Sequence, residues 1–325
     1  MLLRAIIAAL ATSLKAVNAC TNCTNESTEP YTLAPAPWTL KGTIYTTFLL
    51  PGIGISLDGK LPNKAFPPLE RQYPESIAGK FVGTLGTIQI IRYTESPVGP
   101  YDEMFIIPGF FEYENDGKVE RNVRVSRIYV SQKYCVWNAR KIWNQPKHLA
   151  NFDWTTNADG SESVKIYPYD TTGDESESTP STKPWFQMTY SSLLPENLNL
   201  DLGILNLDLD LNPAIPFTSD LYGLLGINAT LIQPPLPQGN DSYGALASGG
   251  EFWKSVVPGQ YSDKTSVGTM NLDQSGGDGE EEGVNAVGDE FEEAFWPGLF
   301  KTSVALKMED ATLTSSEEQV LPGVK

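Results

Sequence analysis

Gly86-Thr-Ile-Gln-Ile-Ile-Arg-Tyr93 and Glu103-Met-Phe-Ile-Ile-Pro108 are short runs dense in Ile, Phe, Tyr and Thr, bounded by Gly or Pro. Runs of that length and composition read as β-strands, because β-branched and aromatic side chains suit a pleated, half-buried surface. Thr43–Leu50, Val123–Gln132, Ser163–Tyr169 and Trp185–Ser191 follow the same pattern. Asn138-Ala-Arg-Lys-Ile-Trp-Asn-Gln145 is the best helix, stopped by Pro146, which cannot continue the hydrogen-bond ladder. Leu198–Ile204 and Leu205–Leu211 alternate with period two across one slipped residue, which predicts two strand pieces joined by a bulge or turn. With 28 Gly and 24 Pro breaking 325 residues into short pieces, a β-rich, loop-rich fold is favoured over a helix bundle.

Charge narrows the function classes. The chain carries 40 acidic against 23 basic residues, a net −17, which repels phosphate backbones and anionic lipid heads and predicts no nucleic-acid partner. One histidine, His148, and three cysteines, Cys20, Cys23 and Cys135, do not furnish the usual His- and Cys-rich zinc sites. Asp201, Asp208 and Asp210 lack EF-hand spacing and read as solvated strand faces. Neither metal nor organic cofactor is implied.

The N-terminal residues have a different logic. Arg4, an apolar run from Ala5 to Leu14, and Ala16-Val-Asn-Ala19 form the pattern of a signal peptide over residues 1–19, too short to span a membrane. Sequons at Asn22, Asn25, Asn228 and Asn240 agree with a secreted or endomembrane glycoprotein. Cys20 and Cys23 are a small local disulfide or an unstructured pair; Cys135, inside an apolar run, reads as a small buried hydrophobe. Residues 20–36 are Thr-, Asn- and Pro-rich and expected to be flexible, with the ordered domain spanning 37–315 and a tail at 316–325. Residues 170–183 and 273–293, the latter with nine acidic residues and no basic one, are expected to be mobile insertions. Phe295–Met308 then reads as a returning strand, which argues for one continuous domain.

Two stretches carry chemistry together: Ser96-Pro-Val-Gly-Pro-Tyr-Asp-Glu-Met-Phe-Ile-Ile-Pro-Gly109 and Tyr134-Cys-Val-Trp-Asn-Ala-Arg-Lys-Ile-Trp-Asn-Gln-Pro-Lys-His-Leu149. Their order and spacing resemble the acetoacetate decarboxylase superfamily, in which a Tyr-x-Glu turn enters an apolar strand and a later helix leads to Pro-Lys. Pro37-Trp38, Gln233–Pro237 and Phe295–Gly298 look like features of its fungal members. The resemblance implies a mostly β (α+β) fold, a closed barrel or cone-like antiparallel sheet with few short helices and an apolar interior that admits the ligand. It implies Lys147 as Schiff-base nucleophile and Glu103 as the active-site glutamate that carries protons. Tyr101, Arg140, Trp143 and His148 are then candidate substrate-binding residues, and the enzymes of this family assemble as oligomers. Three departures from the pattern stand out: Lys141 replaces the helix glutamate, His148 replaces a second lysine, and no arginine follows Trp38.

The physical requirement is independent of any family. A lysine attacks a ketone only as the free amine, yet its ordinary pKa of about 10.4 leaves well under ~1% neutral at pH 7. Desolvation or a neighbouring cation must lower it. His148, with an ordinary pKa of about 6.5, is expected to be mostly neutral and to leave that task to burial by Trp137, Ile142, Trp143 and Leu149. The expected activity is carbon–carbon lyase chemistry on a 3-oxo acid or related ketone of small-molecule or secondary metabolism. Since an iminium also serves aldol and dehydration chemistry, the lysine fixes the intermediate and not the reaction. The alternative is a secreted barrel protein that holds a small apolar ligand without catalysis. Arg140 is either a structural residue bracing Glu103 or a clamp for the substrate carboxylate.

Overall fold

A computed structural model describes residues 25, 30–50, 59–83, 85–170, 179–193, 230–274 and 300–324. Residues 1–19, Cys20, Cys23, Asn22, Asn228 and the alternating stretch 198–211 lie outside these. Sixteen strands and one α-helix are described, in the order β1 (Trp38–Leu50), β2 (Lys80–Gly83), β3 (Gly86–Glu95), β4 (Tyr101–Ile107), β5 (Phe110–Asn115), β6 (Lys118–Val123), β7 (Arg127–Val130), α1 (Lys133–Trp143), β8 (Lys147–Thr156), β9 (Glu162–Pro168), β10 (Phe186–Ser192), β11 (Leu231–Gln233), β12 (Trp253–Val256), β13 (Pro258–Tyr261), β14 (Lys264–Asn271), β15 (Phe300–Ser315) and β16 (Gln319–Leu321).

Strands β1-β3-β4-β7-β8-β9-β10-β14-β15 form a ring, closed where β1 pairs with β15. Closure removes the unpaired edges that an open sheet leaves exposed. The expected mostly β, closed sheet is therefore present, with two corrections. One pair in the ring, β7–β8, is parallel, because α1 supplies the crossover that returns the chain to the same end of the sheet. A second, open sheet of six short strands, β16-β12-β11-β6-β5-β2, packs outside the ring.

Side-chain alternation assigns the two faces of the ring. Tyr45, Ile90, Met104, Tyr129 and His148 form one cross-strand row, and Ile91, Glu103, Val130 and Leu149 the next. The first row belongs to a core to which all nine ring strands contribute, including Val164, Phe186, Met188, Met270 and Ala305, and which fills the barrel. The second row belongs to the other core, shared with Val136, Ala139 and Ile142 of α1 and with Val123, Leu231 and Val256 of the open sheet. Among the described residues the barrel interior is thus occupied by side chains through its middle.

Local boundaries differ from the sequence reading for identifiable reasons. The run Val123–Gln132 is two strands: the chain passes from one sheet to the other at 124–126. There the buried Arg124 guanidinium donates to the carbonyls of Ala78 (2.5 Å) and Ser76, between the rings of Phe66 and Phe111. The helix begins at Lys133 instead of Asn138, since Gln132 Oε1 caps its first turn by accepting from the Cys135 N–H (3.0 Å). It ends at Trp143, where Asn144 adopts φ 54 and Pro146 follows. Residues 30–36, within the stretch expected to be flexible, pack on α1: the Tyr31 ring stacks on Trp137 and the Ala34 N–H donates to Asn138 Oδ1 at 2.8 Å. Residues 319–321 of the expected tail pair with β12. The returning strand is β15, described from Phe300 and running to Ser315.

Candidate active site beneath helix α1

Lys147 opens β8 directly after the crossover, on the outer face of the ring and beneath α1. In register, Phe105 faces Ile128 and Ile128 faces Lys147, so Glu103, two residues before Phe105, shares that face. The Lys147 Nζ donates to Glu103 Oε2 at 2.5 Å and to Cys135 Sγ of α1 at 3.3 Å. The Tyr101 ring lies 5.5 Å from Nζ, and the Tyr93 hydroxyl donates to Glu103 Oε1 at 3.2 Å. Tyr93 and Tyr101 pack with ring centroids 4.5 Å apart. Lys147 and Glu103 are each only 4% exposed, which excludes the solvated surface pair that most lysines make.

Burial pulls the Lys147 amine down, but Cys135 and Glu103 outweigh it and hold the amine above its ordinary value. Burial pushes the Cys135 thiol up against the opposing pull of Lys147, so the thiol is protonated at neutral pH and Glu103 supplies the compensating charge. Burial also raises the hydroxyls of Tyr93 and Tyr101 well above the usual phenol range, with Glu103 and Cys135 adding to the effect. The resting site is therefore an ammonium–carboxylate pair, not the free amine that burial alone was expected to produce.

Arg140 and His148 build a separate cluster. Arg140 is fully buried and donates to Glu70 Oε1 (2.6 Å) and to the carbonyls of Ala247 (2.9 Å), Pro237 (2.9 Å) and Lys147 (3.4 Å). It braces Glu70 rather than Glu103, and its donors are committed to protein acceptors, which leaves it no fork for a substrate carboxylate. His148 follows Lys147 and so points to the opposite face. Its Nε2 lies 2.7 Å from Glu70 Oε2 and its Nδ1 3.1 Å from Asp170 Oδ2. Burial disfavours the imidazolium, yet Glu70 and Asp170 raise its pKa to about 9, so His148 is a cation at neutral pH and not the neutral ring expected. Burial raises the Glu70 carboxyl, but His148 and Arg140 bring it to about 2. Beside this cluster Val136, Leu149, Tyr169, Tyr243 and Leu246 close a cavity with room for about one water molecule. Trp143 packs edge-on against Trp38 at 5.1 Å and donates to the Ser316 carbonyl at 3.0 Å, which ties it to the core and not to Lys147.

Of the residues named from sequence, the structure gathers Lys147, Glu103 and Tyr101 and sets Arg140, His148 and Trp143 apart. Tyr93, Cys135 and Glu70 were missed as contributors. Tyr93 sits at the end of a strand already recognised, and its register opposite Tyr101 is the signal that would have found it. An open cavity of about 680 Å³ at the barrel rim, lined by Tyr45, Arg92, Asp102, Glu162 and Lys307, reaches Tyr93 and Tyr101. Of the sequons, Asn25 uses its side chain internally, donating to Ser131 O (2.6 Å) and accepting from the Lys133 N–H (3.1 Å), while Asn240 is exposed. Among the described residues no helix is long and apolar enough to cross a membrane.

No family model and no curated protein matches the sequence. Among solved structures the chain is similar to acetoacetate decarboxylase from Legionella pneumophila, at 12% identity and TM-score 0.45 over 95% of this chain and 97% of that one. It is similar to the enduracididine biosynthesis enzyme MppR complexed with pyruvate, at 9% and 0.43 over 89% and 91%. An acetoacetate decarboxylase-like enzyme from Sphingomonas wittichii gives 8% and 0.46 over 88% and 93%.

Proposed function

We propose that the protein is a Schiff-base-forming carbon–carbon lyase acting on a 3-oxo acid or a related ketone, with Lys147 as nucleophile and Glu103 as proton carrier. The observation that carries this reading is the buried Lys147 amine at 2.5 Å from a buried carboxylate. A proton can cross that distance within the pair, leaving a neutral amine and a neutral carboxylic acid when a substrate displaces the charge–charge contact. The amine then attacks the ketone carbon, and loss of water gives the iminium. Cleavage of the bond to the carboxylate sends its electron pair into the iminium and releases CO₂, leaving an enamine. Protonation at carbon and hydrolysis return Lys147 and the shortened ketone. Glu103 takes the amine's proton at the start and returns protons in the later steps, while Tyr93 holds its other oxygen. The rim cavity that reaches Tyr93 and Tyr101 supports an approach from that side. The secretory route expected from residues 1–19 belongs to the same proposal.

One observation favours a second reading, a binding protein without catalysis: the ammonium is held above its ordinary pKa by its neighbours, as in a structural ion pair. Incubation with a panel of keto acids including acetoacetate, reduction with borohydride and mass mapping of the adduct separate the two. An adduct at Lys147, weakened about 10²–10⁴-fold in rate by Glu103→Gln, supports the lyase. No adduct with folded protein across the panel returns the site to the binding reading.

A further inference from the structure

Cys135 has no part in the chemistry above, yet its sulfur is 3.3 Å from the Lys147 nitrogen, within the separation at which positioned groups react. Two features select that amine as its reaction partner. Among the described residues Cys135 is the only cysteine, so no second thiol there can resolve an oxidised sulfur. The neighbouring backbone nitrogen of Val136, the other group that closes on an oxidised cysteine, is engaged in helix α1, donating to the Gln132 carbonyl at 3.2 Å.

We infer that Cys135 and Lys147 are an oxidisable pair: a small hydroperoxide converts the Cys135 thiol to a sulfenic acid, and the Lys147 amine closes on that sulfur to form a sulfenamide. In the first step the O–O bond breaks, the sulfur loses two electrons and gains one oxygen, and the second oxygen leaves as water when the oxidant is hydrogen peroxide. In the second step the N–S bond forms and the S–O bond breaks. Hydroxide departs with a proton from the amine as a second water, and no further oxidant is consumed. Glu103 at 2.5 Å removes the proton that otherwise masks the nitrogen lone pair. An external thiol reverses the bond by attacking sulfur, returning the amine with its proton and, through a mixed disulfide, the free Cys135. The bond itself forms whether or not the site is catalytic. Its consequence, reversible blockade of the nucleophile, rests on the lyase reading.

The chain folds Cys135 fully out of solvent, so its oxidation requires a local opening of the fold that admits a hydroperoxide near the size of water. The test exposes folded protein to hydrogen peroxide, blocks remaining thiols and digests with trypsin without reductant. Cleavage at Arg140 and Lys141 separates the peptide carrying Cys135 from the one carrying Lys147. The expected result is a species joining the two, lighter than their sum by two hydrogens, lost on treatment with dithiothreitol and absent in Cys135→Ser. Lys147→Arg, which keeps a cation beside Glu103, gives oxidised Cys135 without the cross-link. Cys135 recovered from folded wild-type protein as sulfinic acid, or as unreacted thiol after an exposure that oxidises it in the denatured chain, overturns the inference. Borohydride trapping on the same samples keeps the two ideas apart. A cross-link without any keto-acid adduct sinks the lyase and leaves the oxidisable pair standing, whereas an adduct without a cross-link does the reverse. If both hold, adduct formation falls in proportion to the cross-linked fraction and returns with dithiothreitol.

Discussion

Lys147 and Arg140 are both buried cations facing a buried carboxylate, seven residues apart at the start of β8 and in the last turn of α1, yet their surroundings assign them opposite work. Arg140 spends its guanidinium on Glu70, on two backbone carbonyls of the connection between β11 and β12, and on the Lys147 carbonyl. Among the described residues Lys147 meets one carboxylate, one neutral thiol and the face of Tyr101. A planar fork locked on fixed acceptors positions the chain, whereas a single-point ammonium beside one proton acceptor can give up its proton. Burial of a charge is therefore no guide to function by itself. The count and kind of its partners is.

The comparison breaks first at Lys147. Lys147→Arg keeps the charge beside Glu103 but removes the nucleophile, and is expected to lower keto-acid adduct formation by more than about 10³-fold while the protein stays folded, as judged by circular dichroism. If the variant retains adduct at another lysine, the assignment of roles collapses. Arg140→Met acts the other way: it leaves Glu70 with His148 as its remaining ionic partner and is expected to cost about 3–5 kcal/mol in urea unfolding, since removal of one partner strands a buried charge. Any adduct lost in that variant should return when its folded fraction is restored at low temperature.

The pH dependence of stability sharpens the same contrast. His148 is raised to about 9 from 6.5, so its contribution is fully present below pH 6.5 and is lost as pH rises through 9. Glu70 is lowered to about 2 from 4.5, so its contribution is present above pH 4.5 and is lost as pH falls through 2. The shared interaction is therefore complete between about pH 4.5 and 6.5, and the alkaline limb amounts to on the order of 3 kcal/mol. His148→Gln should flatten that limb of the urea midpoint against pH, and an unchanged limb would show that His148 does not titrate with folding. The smallest effect is expected at Trp143→Phe, which loses the bond to the Ser316 carbonyl for about 1 kcal/mol and leaves adduct formation unchanged. A selective loss of adduct there would return Trp143 to the substrate site.

What the sequence made legible follows the range of the physical signal. Strands β3, β4, β9 and β10 carry dense β-branched and aromatic runs with turn residues at both ends, and they are found within a few residues of where composition puts them. Tyr134-Cys-Val-Trp137 carries the same kind of residues but lies in α1, because the cap at Gln132 and burial of one helix face override local preference. Strands β11 and β16 are three residues long, too short for any period to register. At the site, Glu103 and Lys147 could be named because a resemblance to a known family's motifs carried them over residue by residue. Glu70 could not: it sits in the 3-10 turn Glu70–Gln72, and its partners are reached only through tertiary packing. Arg140 was recognised and given the wrong carboxylate for the same reason.

The closure of the ring by β15 also sets an order of events. Ring strands β3, β4, β7, β8 and β9 follow one another in chain order, with the β5–β6 hairpin and α1 as the intervening excursions, so the segment bearing Glu103, Cys135 and Lys147 gathers from contacts of modest loop length. The seam does not: Trp38 pairs with Ser315, and the whole intervening chain must be in place before that pairing is rewarded. Until then β1 presents an unpaired edge of apolar and threonine-rich sequence to any other chain in reach. Folding yield should therefore depend on protein concentration through this seam, and the slowest folding step should be sensitive to changes in β15 while remaining indifferent to changes at Lys147.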